Sequence, residues 1–444
     1  MNSRKWLIIP VEVQVRELLA RLLVAAIAAD RGFNVLIGQD RVIRRLARYL
    51  PRGILFDKSL DGKGDRKVRR YARLGYTIAA IDEESRGVYS EPRFFFSRRL
   101  SDEALSRSAR WFCISDLVRD EAVNFFPEYS DRFETTGLPR VDLCRPSFSA
   151  IYEKERAEIK EKYGKFLLVC SNFGTILHVR RGRFLDNQMR RAAKQAPGNA
   201  AYRERVEAEG RVNLEAYIQM LPKLREWFPD HKLLVRPHPT ESHDTWRSIL
   251  GDHDGVEIVS GGSANPWILA SDCLVHHGCT TGIEAELLGK PHVMYAPHPD
   301  FHHDTEVMKT FATIVHDENS LRGVISDILS GKDYSKPRRS LEKYYAAQVG
   351  QLASENVIEA FDKLTQKGGE LPNWLPLLRF TPRHLVAEYW PRSAAAQAYS
   401  KQKWQGVSLE EIRATLDVLR DGAQCQSSLK VEEIFPQLFS VTRR

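Results

Sequence analysis

The chain is poor in cysteine, and its cysteines do not stand in pairs with the spacing of metal ligands. The six are scattered along the 444 residues, at Cys113, Cys144, Cys170, Cys273, Cys279 and Cys425. Several lie in apolar stretches typical of strands, which predicts buried thiols in a reducing compartment. This spacing argues against a disulfide or zinc framework as the basis of the fold.

Long apolar runs are missing as well. The longest apolar helix candidate, 18–29, contains Arg21 and is too short to cross a bilayer. The first apolar run, 6–9, is cut short by Pro10 and Glu12, which indicates a strand and not a signal peptide. We therefore expect a cytoplasmic protein, and peripheral contact with the inner face of the cytoplasmic membrane stays an open alternative.

Repeats, low-complexity segments and nucleic-acid-binding motifs are also absent from the sequence, so no nucleic-acid partner is expected. A composition of 43% hydrophobic and 28% charged residues is that of a soluble globular enzyme, and the length predicts two domains. The formal net charge is +8, with basic clusters at 66–70 and 180–183. This excess fits simple solubility, or an anionic partner such as a nucleotide, an acidic glycan or a membrane face.

What the chain does contain is a regular alternation of strand and helix patterns. Strand-like runs occur at 6–10, 34–38, 53–56, 77–81, 111–114, 166–170, 232–235, 256–259, 273–275 and 292–295. Alternation of this kind predicts parallel sheets with helices on both faces. The expected fold is α/β of the GT-B type, with two Rossmann-like domains facing a central cleft and a helical C-terminal extension.

The break in the pattern near 145–160 sets the predicted domain boundaries. Residues 1–150 form an N-terminal acceptor and catalytic domain, and residues 151–345 form a nucleotide-sugar donor domain. Residues 346–444 form a crossover helix and a helical extension, whose aromatic residues either pack on the first domain or meet a membrane or partner. Those aromatic residues are Trp374, Phe380, Tyr389, Trp390 and Trp404.

Two motifs follow strands of the second domain. Arg236-Pro237-His238-Pro239 leaves one strand, and a guanidinium and an imidazole on a rigid turn suit a phosphate or carboxylate. His276-His277-Gly278-Cys279-Thr280-Thr281-Gly282 leaves another strand and leads into a helix, whose positive N-terminus suits an anion. In a parallel sheet both motifs lie at the carboxyl edge, where ligands bind.

Further candidates in these segments are Thr280 and Thr281, expected to cap the helix, and Glu284, one turn into it. Adjacent strand residues point to opposite faces, so His276 and His277 cannot easily share one metal ion, and no metal site is expected. We expect one of the two rings to face the cleft. Asn172 follows the first strand of this domain, where a tight loop can approach a donor phosphate.

The first domain contributes the acidic run Asp82-Glu83-Glu84 after an apolar strand. Charges at a strand end are costly unless they are solvated or used in chemistry. Glycosyl transfer needs a carboxylate as a general base or as a nucleophile. The run is therefore either a catalytic site or a solvated acidic turn.

The chain also resembles a known family, that of bacterial surface carbohydrate biosynthesis proteins of GT-B type. The resemblance covers about residues 5–365. It rests on Arg16-Glu17-Leu18-Leu19, Arg31-Gly32-Phe33, Asp82-Glu83-Glu84, Gly137-Leu138-Pro139-Arg140-Val141-Asp142, Ser171-Asn172-Phe173, Arg236-Pro237-His238-Pro239, Asn265-Pro266-Trp267 and His276-His277-Gly278-Cys279-Thr280-Thr281-Gly282. More remotely, these elements are similar to those of CMP-dependent ulosonic acid transferases, including retaining β-Kdo transferases, and of CDP-polyol phosphotransferases.

The resemblance implies a CMP-activated ulosonic sugar as donor, a bacterial surface glycan or glycolipid as acceptor, and no cofactor or metal. It implies catalytic roles for Asp82, Glu83 and Glu84, with Glu83 favoured as the nucleophile of a retaining reaction, although inversion with Glu83 as base stays open. The motifs and the resemblance together give as donor-binding residues Asn172, Arg236, His238, Gly262, Asn265, His277, Thr280, Thr281 and Glu284, with His238 also counted as catalytic.

Three alternatives remain at this point. One is a CDP-polyol phosphotransferase, a second is a UDP-sugar GT-B enzyme or epimerase, and a third is a non-enzymatic glycan-binding module. The nucleotide that binds distinguishes the enzymes, and failure of every nucleotide to bind would favour the binding module.

Overall fold

The computed structural model describes residues 5–60, 65–83, 85, 92–174, 176–178, 198–251, 254–298, 306–332, 339–364 and 403–444. The chain forms two compact units, each with its own sheet. The first comprises Met1–Ser85, Arg98–Leu143 and Tyr345–Arg444, and the second comprises Arg86–Ser97 and Cys144–Tyr344. The expectation of two Rossmann-like domains is confirmed.

The elements follow one another in the alternating order that the sequence predicts. The strands are β1 (Trp6–Val11), β2 (Asn34–Gln39), β3 (Ile54–Asp57), β4 (Thr77–Ile81), β5 (Arg110–Cys113), β6 (Phe133–Thr135), β7 (Phe166–Cys170), β8 (Lys232–Arg236), β9 (Val256–Ile258), β10 (Cys273–His276), β11 (His292–Tyr295), β12 (Ile314–Val315), β13 (Leu429–Phe435) and β14 (Leu438–Arg443). The α-helices are α1 (Gln14–Asp30), α2 (Asp40–Leu46), α3 (Asp65–Arg73), α4 (Pro92–Arg99), α5 (Asp102–Arg107), α6 (Asp116–Phe125), α7 (Pro139–Asp142), α8 (Ala150–Tyr163), α9 (Gly198–Trp227), α10 (His243–Leu250), α11 (Ala264–Ala270), α12 (Thr280–Leu287), α13 (Glu306–Phe311), α14 (Glu318–Leu329), α15 (Arg339–Glu342), α16 (Ala353–Asp362) and α17 (Leu409–Gly422).

The sheet of the first unit has the order β13-β14-β2-β1-β3-β4-β5-β6. Strands β1 to β6 pair in parallel, and every residue of β1 is buried, as expected for a central strand covered on both faces. Helix α1 is rich in alanine and leucine and packs against α16 and α17. The returning C-terminal segment therefore belongs to the core of the first unit.

The C-terminal extension differs from the helical segment that we expected. Helix α17 is present, but residues 429–443 form a β-hairpin, and β14 pairs antiparallel with β2. The strand signal is an alternation of buried and exposed side chains, with Leu429 and Val431 buried and Lys430 and Glu432 exposed. The tail aromatics from Trp374 to Trp390 lie outside the described residues.

The run from Gly137 to Asp142 has a structural role in the first unit. The buried carboxylate of Asp142 accepts hydrogen bonds from the backbone N–H groups of Ala353 and Ser354, at 2.9 and 2.8 Å, and so caps α16. Gly137 has φ +82°, and a side chain there would overlap the backbone of Ala346. The motif thus anchors the returning chain.

The sheet of the second unit is parallel throughout, with the order β12-β11-β10-β7-β8-β9. One face packs against α9, α10 and α14, and the other packs against α8, α11 and α12. Helix α9 is the longest, and among the described helices none has the length and apolarity that crossing a bilayer requires.

The docking of the hairpin on β2 gives a first prediction. A side chain at Gly38 would overlap the carbonyl oxygen of Gln437 and the Cα atom of Leu438. Gly38→Ala should therefore destabilise the first unit by about 1–3 kcal/mol and raise hydrogen exchange in residues 429–443, measured by urea unfolding and exchange mass spectrometry.

A matched control is Gly323→Ala in α14, where the added methyl group meets no atom within 4 Å. That variant should gain about 0.5–1 kcal/mol, because alanine favours a helix interior over glycine. Unchanged exchange in the hairpin of Gly38→Ala would contradict the tight approach of the two segments.

Candidate functional site

Three strands of the second unit end side by side. In the parallel register, His276 of β10 lies beside Cys170 of β7, and Cys170 lies beside Arg236 of β8. The loops after these strands therefore leave the sheet at the same level of its carboxyl edge. The sequence motifs built on Ser171, Pro237 and His277 are brought together in this way, as the parallel-sheet rule predicts.

Arg236 is the cation of this edge. Its Nη2 atom donates to the carbonyl oxygen of Gly262 at 2.7 Å, and its guanidinium lies 5.4 Å from the ring centre of Trp267. Burial lowers its pKa, opposed by charges that include Glu155 and Glu284. Its Nη1 atom is buried, and the described residues give it no hydrogen-bond partner. An arginine fixed on one side with a donor left on the other is suited to an anion.

His238 lies in the loop after β8 with a defined ring orientation. Its Nδ1 atom is 3.3 Å from the backbone N–H of Thr240, which donates to it, and 2.9 Å from the Thr240 hydroxyl. In the neutral ring this leaves the proton on Nε2. Gly174 of the neighbouring loop approaches so closely that a side chain there would overlap the Thr240 hydroxyl.

Glu241 connects the loop after β7 with the loop after β8. The carboxylate is fully buried and accepts hydrogen bonds from the Ser171 hydroxyl at 2.5 Å, the Phe173 backbone N–H at 2.6 Å and the Trp246 indole N–H at 2.7 Å. One side chain therefore holds the β7 loop, the β8 loop and helix α10 together. Glu241 is a positioning residue for Arg236 and its neighbours.

The N-terminus of α12 differs from the expectation that a threonine caps it. The N-cap residue is Cys279, in an extended conformation, and its side chain makes no capping hydrogen bond to a backbone N–H of the helix. Thr280 is the first helical residue, and Thr281 lies against Cys279 and close enough to Cys170 for a hydrogen bond. The first N–H groups of α12 thus have no side-chain cap, which favours an anion at this end.

Both rings of the His276-His277 pair lie in the interior, on opposite faces of the sheet. The ring of His277 lies between Phe173 and Tyr217, at centroid distances of 4.9 and 5.4 Å. His276 is within 3.2 Å of His292, and burial lowers its pKa well below the usual value. We expected one ring to face the cleft, but helices on both faces cover the strand.

The histidines do not assemble a recognisable metal centre in this part of the chain. Across the described residues there is no group of three or more histidine, cysteine, aspartate or glutamate side chains that could hold a metal ion. A series of side-chain contacts runs from His276 to His292 and from Nε2 of His292 to Glu286 Oε2, 3.3 Å away. These contacts connect β10 and β11 to α12.

Three further residues predicted to contact the donor, Asn265, Gly262 and Asn172, lie within the second unit. Asn265 is buried, and its amide donates to the Tyr152 hydroxyl at 2.9 Å. The carbonyl oxygen of Gly262 accepts from Arg236, and a side chain at Gly262 would overlap the Glu155 carboxylate. Asn172 is half-buried in the β7 loop. These residues shape the surroundings of Arg236.

Asp82 and Glu83 of the acidic run in the first unit are buried rather than solvated. Glu83 Oε1 lies 2.9 Å from Nη2 of Arg21, and both side chains are buried. Asp82 Oδ2 lies 3.4 Å from Nε of Arg99. Glu84 lies outside the described residues. Arg21 comes from α1, so the helix and the end of β4 meet through an ion pair.

Two further carboxylates stand at the same edge of the first sheet. Glu17 on α1 is buried, and burial raises its pKa. Glu12 follows β1, where the charges of Lys58 and Lys403 outweigh burial and hold its pKa at about 2. Lys58 Nζ is 2.8 Å from Glu12 and 3.5 Å from Glu17. Opposite shifts in neighbouring carboxyl groups are a feature of acid and base sites.

Sequence reasoning overlooked the residues that support these groups. Glu241 follows the Arg-Pro-His-Pro motif directly and looks like part of a polar turn, and only its burial shows its role. Arg21 and Glu17 sit on the apolar helix pattern of α1, where they are separated by one turn. A charge inside an apolar helix face is the signal that could have identified them.

No protein-family description and no curated protein matches this sequence. Similar solved structures exist. The UDP-GlcNAc 2-epimerase of Methanocaldococcus jannaschii, in complex with UDP-GlcNAc and UDP, is 11% identical with a TM-score of 0.50, over 81% of this chain and 99% of that chain. An epimerase of the same name from Rickettsia bellii is 12% identical with a TM-score of 0.48, over 81% and 98% of the two chains. A glycosyltransferase from Rickettsia africae is 10% identical with a TM-score of 0.45, over 82% and 99%.

At a sequence identity of 11%, the structural similarity to the Methanocaldococcus jannaschii protein establishes the fold alone. The chain has the GT-B-like architecture of two Rossmann-like domains, as the sequence predicts.

The environment of Glu241 predicts a pH dependence. Burial raises the pKa of Glu241 from 4.5 to about 7, although its hydrogen-bond donors oppose the shift. The folded state then holds a proton that the unfolded state has released, so the free energy of unfolding should fall as pH rises from 4.5 through 7. The loss is roughly 3 kcal/mol.

In Glu241→Gln the contribution of this residue should be lost, so the fall should be smaller than in the unchanged protein, measured by denaturant unfolding at several pH values between 4.5 and 8. Part of the fall should remain, because burial raises the pKa of Glu17 as well. The exposed Glu226 on α9 offers the control, because Glu226→Gln should keep the pH dependence of the unchanged protein. A Glu241→Gln variant with the same pH dependence as the unchanged protein would refute the assignment.

Proposed function

We propose that this chain is a nucleotide-sugar-dependent enzyme of GT-B type, with the donor phosphate bound at the carboxyl edge of the second sheet. The observation that carries the proposal is the convergence of Arg236, His238 and the uncapped N-terminus of α12 on one edge. Each supplies hydrogen-bond donors, and the buried Nη1 atom of Arg236 has no hydrogen-bond partner among the described residues.

These hydrogen-bond donors suit a phosphate that leaves the sugar carbon. When the bond between the sugar carbon and the phosphate oxygen breaks, negative charge grows on that oxygen. A fixed guanidinium and a helix N-terminus stabilise that charge without rearranging, which is the main way in which proteins speed such reactions. Glu241 holds the hydrogen-bond donors of Arg236 and His238 in place, because it joins the β7 loop to the β8 loop.

The uridine nucleotides are the better supported donors. The Methanocaldococcus jannaschii structure, whose fold this chain shares, is described with UDP-GlcNAc and UDP. A GT-B enzyme that uses a UDP-sugar, either a transferase or an epimerase, is therefore the first candidate.

A CMP-activated ulosonic sugar is the second candidate. It is favoured by the acidic residues after β4, where Arg21 holds the carboxylate of Glu83 in place. In a retaining transfer to a surface glycan or glycolipid, Glu83 would attack the sugar carbon as CMP leaves. The acceptor hydroxyl would then displace Glu83 and give up its proton to a base.

A melting-temperature screen with UMP, UDP, CMP, CDP and GDP tests the binding proposal. A nucleotide at 100 times its Kd should add about 2.7 kcal/mol of stability. Stabilisation by UDP would support the UDP-sugar enzyme, and stabilisation by CMP alone would support the ulosonate transferase. A screen in which no nucleotide stabilises the protein would contradict both.

The role of Arg236 gives a sharper test. Arg236→Gln should weaken the stabilising nucleotide by about 10- to 100-fold, the value of one charge-assisted hydrogen bond to phosphate. The control is Arg247→Gln on α10, an exposed arginine paired with Asp244, which should bind as the unchanged protein does. Equal losses in the two variants would indicate a nonspecific charge effect.

The role of Glu83 is tested separately. Glu83→Gln should abolish sugar transfer and leave nucleotide binding near normal, because the nucleotide contacts belong to the second unit. Since the change leaves Arg21 buried beside a neutral group, its melting temperature must be measured in parallel. Glu359→Gln, at an exposed glutamate of the same unit, is the control. Turnover retained by a folded Glu83→Gln would exclude the nucleophile role.

A further inference from the structure

A groove lined by arginines lies on the first unit, away from the acidic cluster. It has a volume of about 420 Å³ and is lined by Arg48, Arg66, Arg69, Arg70, Arg73 and Leu74. Most of these arginines belong to α3, which contains the basic run 66–70, and Arg48 comes from the turn after α2. The donor and catalytic roles proposed above use none of these residues.

The spacing on α3 explains how the groove forms. Arg66, Arg70 and Arg73 follow one another at intervals of four and three residues, which places them on one face of the helix. Val68 and Tyr71 are buried on the other side. The helix is therefore amphipathic, with arginines in place of the usual mixture of charges.

Few carboxylates compensate this charge. Glu103 lies 3.1 Å from Nε of Arg69 and also pairs with Arg107. For Arg48, Arg66, Arg70 and Arg73 no ion pair exists with any described residue. Like charges at such spacing on a helix repel each other, so their clustering is unfavourable in the absence of an anion.

The helix dipole accounts for only part of the cluster. Arg70 and Arg73 lie in the last turn of α3, where a cation is favoured by about 0.3–1 kcal/mol. Arg66 is in the first turn, where the dipole disfavours it, and Arg48 belongs to a different segment. A common anionic ligand explains all four positions.

The groove is also separate from the candidate catalytic residues. Arg73 ends α3 just before β4 begins at Thr77, whereas Glu83 follows the end of β4. Because a strand starts and ends at opposite edges of the sheet, Arg73 lies at the opposite edge of the first sheet from Glu83.

We propose that this groove is a binding site for a soluble anion that carries several adjacent phosphoryl groups. Guanidinium groups bind phosphate oxygens through paired hydrogen bonds, and several of them around one concave site match several charges on one ligand. The volume falls in the range of small-molecule sites. A membrane surface is flat, and of the lining residues only Leu74 is apolar, so a discrete ligand fits better than a bilayer.

The test is calorimetric titration of the full-length protein with inorganic tripolyphosphate, with orthophosphate as the weaker comparison. Arg70→Gln/Arg73→Gln should weaken tripolyphosphate binding at least tenfold. Arg44→Gln/Arg322→Gln removes two exposed charges outside the groove and should bind normally. Arg236→Gln separates this site from the proposed donor site, and should leave the groove titration unchanged.

Several results would overturn the proposal. One is tripolyphosphate binding that survives Arg70→Gln/Arg73→Gln in a protein that also carries Arg236→Gln, and another is binding that disappears in Arg236→Gln alone. A third is binding to vesicles of anionic phospholipid without binding to tripolyphosphate, which would identify a membrane contact. Circular dichroism of the variants confirms that each is folded, and nucleotide stabilisation of the second unit serves as an independent check.

Discussion

The buried carboxylate of Glu241 is the contact on which the geometry of the second unit's edge depends. It accepts hydrogen bonds from a hydroxyl and a backbone N–H of the β7 loop and from an indole N–H of α10. A carboxylate in the interior is costly unless its oxygens are satisfied, so the three donors must converge on it. The β7 loop, the β8 loop and α10 then cannot move independently. Arg236 and His238 acquire fixed positions because the segment that carries them ends on Glu241.

The two sheets satisfy their buried carboxylates in different ways. In the second unit the carboxylate of Glu241 accepts only from neutral hydrogen-bond donors, and the Nη1 atom of Arg236 has no hydrogen-bond partner among the described residues. In the first unit Arg21 and Lys58 instead form ion pairs with Glu83, Glu12 and Glu17. A guanidinium donor is therefore available at one edge, whereas at the other edge basic side chains neutralise the carboxylates.

The sequence predicts the fold well because apolar strands and amphipathic helices alternate, and this periodicity decides the layers. It also identifies the segments that leave β7, β8 and β10, since parallel strands end at one edge. It does not predict the hairpin after Gln424, whose short alternating strands become stable only when β14 pairs with β2. Nor does it predict Glu241, because a glutamate after a turn reads as solvated until tertiary packing buries it. Nor does it predict that the N-cap of α12 is Cys279 instead of a threonine, because neighbouring residues of this kind do not show at which position the helix begins.

A GT-B-like fold serves more than one chemistry, so the fold does not decide between transfer and epimerisation. The carboxylates of the first unit lie in different environments. Glu12 is held ionised, with a pKa of about 2, because two lysines outweigh its burial, whereas burial of Glu17 raises its pKa. Neighbouring carboxyl groups in such different environments can act as base and acid in one reaction. Transfer with a carboxylate nucleophile additionally requires Glu83 to leave its ion pair with Arg21, at the cost of a buried guanidinium without a partner. Proton transfer to Glu12 would likewise neutralise the partner of Lys58 and Lys403, so neither reaction leaves the ion pairs of this edge intact.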